Sequence, residues 1–177
     1  MSYETYRKRA EDLVKEVGIQ HPPVDVERVA RHCKLPVVYA ELGSETSGLL
    51  VVESSSSARI CINKEDAPTR RRFSAAHEIG HWVLSHHMQP GVHVDRGHII
   101  LPRDPRSSQG VDRTEIQANQ FAYALLMPQH MVEAAVEKLV AQRTPRLLKD
   151  SDVTDLAELF QVSEQAMTIR LSKLRML

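Results

Sequence analysis

Apolar positions recur at helical spacing over much of this chain. Residues 2–17 put Ala10, Leu13, Val14 and Val17 on one face and stop at Gly18, which predicts a helix. His21-Pro22-Pro23 makes a rigid turn. Asp25 then stands where it can cap a second helix over 26–33, ended before Pro36. The period changes next. Runs 36–42, 47–53 and 58–62 are short and rich in Val, Ile and Leu, with turn residues at Gly43-Ser44 and across 54–57. They predict three strands in an antiparallel meander. Helical spacing returns around Phe73, Ala76, Gly80, Val83 and Leu84, opened by Asp66-Ala67-Pro68. Residues 88–113 break the pattern with Pro90-Gly91, Gly97, Pro102, Pro105 and Gly110. They read as a long irregular loop with a short strand near 98–101. Helices are expected again over 114–127, stopped by Pro128, over 129–141, and, after a polar connection, over 152–160 and 164–175. No segment repeats.

A length of 177 residues suits one domain, or a domain with a small appendage. Lys plus Arg and Asp plus Glu each number 23, so the net charge is zero. That argues against a dominant nucleic-acid or membrane footprint. No signal peptide is visible and no apolar stretch approaches membrane-spanning length, so a cytoplasmic protein is expected. Cys33 and Cys61 make neither a disulfide framework nor a thiolate metal site. Both are expected to be buried, reduced packing residues.

Chemistry concentrates in His77-Glu78-Ile79-Gly80-His81, which reads H-E-x-x-H on a helix. Residues four apart project from nearly the same face, so His77 and His81 can direct imidazole nitrogens at one ion. Glu78 is rotated one residue away, where a carboxylate can act as a general base toward water. Gly80, lacking a side chain, lets another backbone approach. The bland alternative is a chance match in an ordinary helix.

A catalytic zinc site takes three protein ligands. Candidates for the third are His86, His87, His93, His98 and the acids of the following helix. Glu115 is the choice, because small residues after it allow close packing against the metal helix. Asn119, one turn on, can accept a hydrogen bond from the spare nitrogen of a ligand histidine. The alternative for Glu115 is a capping box, Asp112-Arg113-Thr114-Glu115, with Glu115 bonded back to Asp112. For the loop histidines the alternative is a solvated side chain. His86-His87 reads as the end of the metal helix, where imidazolium suits the dipole.

The stretches Arg71-Arg72-Phe73-Ser74-Ala75-Ala76-His77-Glu78-Ile79-Gly80-His81 and Glu115-Ile116-Gln117-Ala118-Asn119-Gln120-Phe121-Ala122-Tyr123-Ala124-Leu125-Leu126-Met127-Pro128 resemble the ImmA/IrrE family of metallo-endopeptidases. Pro22-Pro23-Val24-Asp25-Val26, Ser47-Gly48, Ile62-Asn63 and Leu156-Ala157-Glu158-Leu159-Phe160-Gln161-Val162-Ser163 are similar too. The resemblance implies a gluzincin-like site with His77, His81 and Glu115 on Zn2+ and Glu78 as base. It implies an α+β fold: a zincin-like domain over 1–141 with a small three-stranded antiparallel sheet, and a helix-turn-helix-like pair over 142–177 packed on it. It also implies a narrowly specific cytoplasmic protease that cleaves a helix-turn-helix repressor and so switches on mobile-element or stress-response genes.

The C-terminal pair has a helix-turn-helix cadence, with Ser163 capping its second helix. That helix starts with Glu164 and Gln165, and its basic residues Arg170, Lys173 and Arg175 come late. A structural or partner-binding role is favoured over DNA contact. The competing function is a binding protein that sequesters a regulator, or contacts DNA, without turnover; such a protein has no need of Glu78. For an enzyme, the strand at 58–62 is the expected partner of an extended substrate, and the loop 88–113 the expected cover of the site.

Overall fold

The computed structural model describes residues 3–86, 90–95, 113–141 and 147–177. Helix α1, Tyr3–Glu16, buries Tyr6, Ala10, Leu13 and Val14, and the chain leaves it through Gly18 at φ +74. Only glycine adopts that backbone without strain. Helix α2, Val26–His32, begins at Asp25, whose carboxylate accepts the Arg28 N–H at 2.8 Å. The cap is the one the sequence predicts.

Strands β1 (Val37–Ala40), β2 (Gly48–Ser54), β3 (Ser57–Asn63) and β4 (Gly91–Asp95) form one sheet in the order β1-β3-β2-β4. The expected three-stranded antiparallel meander is therefore corrected in two ways. First, β2 and β3 form the antiparallel hairpin, but β1 pairs with β3 and runs parallel to it. The cause is Asn63 at the end of β3. Its amide donates to the carbonyls of Gly43 at 2.8 Å and Thr46 at 3.0 Å, and its own N–H donates to Ser47 at 3.0 Å. These bonds carry residues 41–47 across the end of β3, so the chain enters β2 on the far side of it. Second, β4 lies inside the stretch read as irregular, and pairs antiparallel with β2 from Gly48↔Asp95 to Val52↔Gly91. Most of the expected loop, with the expected strand at 98–101, falls outside the described residues. The expected substrate strand at 58–62 is also corrected. It lies within β3, paired on both sides, and offers no free edge.

Helix α3, Pro68–Val83, starts on Pro68, whose missing N–H costs nothing in a first turn. Eight consecutive residues, Ser74 to His81, are buried on it. A helix buried all round needs partners on both faces; here they are β2 and β3 on one side and α4, Arg113–Leu126, on the other. Helices α5 (Gln129–Val140), α6 (Asp150–Phe160) and α7 (Glu164–Lys173) complete the chain, close to the predicted bounds. Ser163 caps α7 by accepting the Ala166 N–H at 3.2 Å.

One hydrophobic cluster joins the sheet (Leu50, Ile60, Ile62), α3 (Ile79), α4 (Phe121, Leu125), α1 (Leu13), α6 (Phe160) and α7 (Leu171). Each such side chain contributes roughly 1.5–3 kcal/mol by leaving water. Arg170 on α7 is wholly buried within this assembly. Its Nε donates to the Met127 carbonyl at 2.9 Å and its Nη2 to Glu11 at 3.3 Å, while Glu11 also accepts the Gln129 N–H at 3.1 Å. One ion pair thus satisfies backbone groups at the α4–α5 corner and ties α1 to α7. Among the described residues no helix is long and apolar enough to cross a membrane.

Candidate metal centre

Two helices bring the site together, and a glycine permits it. A Cβ on Gly80 would lie 3.3 Å from both the Cα and the carbonyl oxygen of Ala118, and 3.1 Å from the Phe121 ring. With no side chain there, α4 settles directly on α3. His77 and His81 then face Glu115 across the contact. His77 Nε2 lies 3.0 Å from one Glu115 oxygen, His81 Nε2 lies 3.2 Å from the other, and the two Nε2 atoms are 2.9 Å apart. Glu115 thus points at α3. Asp112, its capping-box partner in the alternative reading, lies outside the described residues, as do His87 and His98 and the side chain of His93.

The donors fit a divalent cation. Two imidazole nitrogens and a carboxylate are a zinc-type set, and donors bound tetrahedrally at about 2.0–2.2 Å to one ion sit roughly 3.3–3.6 Å from one another. The observed triangle, with edges of 2.9, 3.0 and 3.2 Å, is a few tenths of an ångström tighter. Protons alone satisfy it poorly, because two Nε2 atoms face each other while each also faces a carboxylate oxygen. Among the described residues this is the one His/Cys/Asp/Glu group close enough to share an ion. Both imidazoles are 3% exposed and the carboxylate 32%, so the triangle opens toward solvent beside Glu115. Burial pushes the Glu115 carboxyl upward, but the hydrogen bonds and charges of His77 and His81 outweigh it and hold the group well below the usual carboxylate range.

The orientation of each histidine is set from behind. His77 Nδ1 lies 3.0 Å from Asn119 Oδ1, the contact expected from the sequence. For His81 the partner was not foreseen. His81 Nδ1 meets His86 Nδ1 at 3.1 Å, and His86 Nε2 meets Gln117 Oε1 at 2.9 Å. His86 lies in the turn that ends the metal helix, as the sequence predicts, and its ring stands edge-on to His81, centroids 5.0 Å apart. Position i+5 from a metal-type histidine is its only signal in the sequence. Glu78 is buried next to His77, and a Cβ on Gly48 would lie 3.1 Å from Glu78 Oε1. The first residue of β2 therefore closes over the carboxylate because it is glycine.

The cysteines stand away from this cluster. Both are free and half-buried rather than buried as expected. Desolvation pushes the Cys33 thiol up to about 11.

Comparison with known proteins agrees with the geometry. No curated protein matches the chain. Nine solved chains do, among them a Mycobacterium tuberculosis transcriptional regulator with a TM-score of 0.59 at 18% identity. The match covers 96% of this chain and 46% of that one, so this chain spans under half the regulator's length; at that identity the likeness is one of fold. The IrrE N-terminal-like domain matches residues 30–172, from α2 through the sheet, α3 and α4 into α7. With both central motifs and the whole sheet inside that match, the chain belongs to the ImmA/IrrE family of metallopeptidases.

Proposed function

We propose that this protein is a zinc-dependent, site-specific endopeptidase. Its proposed substrate is a helix-turn-helix repressor, whose cleavage relieves repression of mobile-element or stress-response genes. The observation that carries the reading is a buried carboxylate, Glu78, that follows His77 directly on α3, the helix that supplies two residues of the His77–His81–Glu115 triangle. A site built only to hold an ion has no use for that acid.

His77 and His81 through Nε2, with Glu115 through a carboxylate oxygen, hold the ion. A bound Zn2+ supplies Lewis-acid polarisation of the peptide carbonyl and acidifies water. Glu78 takes a proton from the attacking water onto its carboxylate and delivers it to the leaving amide nitrogen. Gly48 keeps that carboxylate in place from the sheet side. An extended substrate segment needs a strand edge with unpaired backbone groups. Strand β4 is at one end of the sheet order, and its Asp95 pairs with Gly48, level with Glu78. It replaces 58–62 as the proposed substrate partner.

The binding-only alternative, with DNA contact by α7, has less support. Arg170 is wholly buried, and Lys173 donates to Gln120 and lies 5.5 Å from the Tyr123 ring centroid. Two of the three basic residues of that segment are thus engaged within the fold. The test incubates the purified chain, with zinc, against a repressor encoded beside it and against casein, read by mass spectrometry. One dominant cut in the repressor and little in casein is expected. Broad digestion of both, or casein cut beside an intact repressor, overturns the specific-regulator reading.

A further inference from the structure

We infer that His86 and Gln117 are positioning residues for His81: a one-way hydrogen-bond chain from His81 through His86 to Gln117 that keeps the His81 Nε2 lone pair aimed at the metal. The inference rests on the metal-centre reading above and adds two residues to it.

The backbone builds the contact. Helix α3 ends in a turn in which the Ser85 N–H donates to the Trp82 carbonyl and the His86 N–H to the His81 carbonyl, both at 3.0 Å. This pair of bonds, with a left-handed residue just past the helix end, is the Schellman motif. Ser85 takes that left-handed position at φ +57, a conformation disfavoured for a residue with a Cβ. The consequence is geometric. His86 folds back over the last turn, and its ring stands at 77° to that of His81.

Proton counting then fixes the roles. A neutral imidazole has one N–H and one lone pair. If His81 uses Nε2 as a ligand, its proton is on Nδ1. That proton meets His86 Nδ1 at 3.1 Å, which must then accept, because two N–H groups cannot face each other at that distance. The proton of His86 is therefore on Nε2, facing Gln117 Oε1 at 2.9 Å, and a carbonyl oxygen can only accept. Every donor meets an acceptor in a single direction. The reverse chain needs the Gln117 amide turned over so that its Nε2 donates, and it leaves the His81 proton on Nε2, where a ligand nitrogen cannot carry one. Helix α4 thus orients both histidines while supplying Glu115: His77 directly through Asn119, and His81 through Gln117 with His86 between them.

Partners behind ligand histidines typically change metal affinity by about 10–100-fold. The test measures zinc affinity of the full chain by competition with a chromophoric chelator. His86→Phe keeps a ring against His81 but removes the acceptor, and Gln117→Leu removes the terminal acceptor. Each is expected to weaken zinc binding about 10–100-fold. His86→Asn, whose Oδ1 stands near the place of the His86 Nδ1, is expected to recover part of the loss. Long-range nitrogen–proton NMR on the zinc-loaded wild-type chain reads the tautomers without any substitution, and His86 is expected to carry its proton on Nε2. A proton on His86 Nδ1, or wild-type zinc affinity in His86→Phe, overturns the inference. Glu115→Ala in the same assay separates the two layers. If it binds zinc as wild type does, the metal-centre reading falls and takes this chain of bonds with it. If Glu115→Ala loses zinc while His86→Phe does not, only the positioning role falls.

Discussion

Glu78 and Cys33 are both polar groups drawn away from water, and their surroundings give them opposite prospects. Glu78 follows His77 on α3 and packs against Gly48, and in the proposed mechanism its carboxylate is the group that passes the proton. Glu78→Gln keeps the shape and removes the basicity. It is expected to bind zinc as wild type does and to lose about 10²–10⁴-fold in cleavage rate. Wild-type cleavage by this variant would remove Glu78 from the mechanism. Cys33 is pushed up to about 11 by desolvation, with Glu16 adding to the rise and Arg9 opposing it. Its ordinary value is 9.0, so between those two pH values the folded chain holds a proton that the unfolded chain has released. Stability therefore falls as pH rises through that window. Urea unfolding should show a shallower fall for Cys33→Ala; an identical slope would mean that the thiol ionises normally. Helical spacing makes the grouping of His77, Glu78 and His81 legible on α3 and that of Glu115 and Asn119 on α4, and the docking of α4 on α3 at Gly80 brings the two groups together. The roles of His86 and Gln117 were not legible in this way. Their contact depends on a left-handed Ser85, and the left-handed residue of such turns is usually glycine.

At the scale of elements, the decisive contact is α3 on α4 at Gly80. Adding a methyl group there gains helix propensity, roughly 1 kcal/mol relative to glycine. Against that stand Cβ contacts of 3.3 Å to Ala118 backbone atoms and 3.1 Å to Phe121. A backbone yields less readily than a side chain, and overpacking of this kind typically costs about 1–3 kcal/mol. Gly80→Ala is therefore expected to lower the melting temperature and to weaken zinc binding, since separation of the helices moves Glu115 from the histidines. Unchanged zinc affinity would show that the spacing is not set there. Helix positions were readable throughout from periodicity and from the caps at Asp25 and Ser163. The sheet was not. Nothing local in β1 reveals that Asn63, more than twenty residues away, pins the connection that sends β2 to the far side of β3. Strand β4 is five residues long and follows Pro90, so its Val92–Val94 alternation was too short to outweigh the surrounding breakers.

At the scale of the whole molecule, the metal helix is central: the sheet lies on one side, α4 on the other, and one core joins both to α6 and α7. Neutral net charge fits recognition by shape and by pairing along a strand edge better than by a long-range field. This arrangement makes the metal triangle a property of the folded chain, since Glu115 reaches the histidines only when α4 docks on α3. The measurement that tests this most directly is anomalous diffraction at the zinc edge from crystals of the chain grown with zinc. The expected result is a single strong peak about 2.0–2.2 Å from His77 Nε2, His81 Nε2 and a Glu115 oxygen. No peak between those atoms, or a peak elsewhere with Glu115 turned back to its own helix N-terminus, would contradict the account.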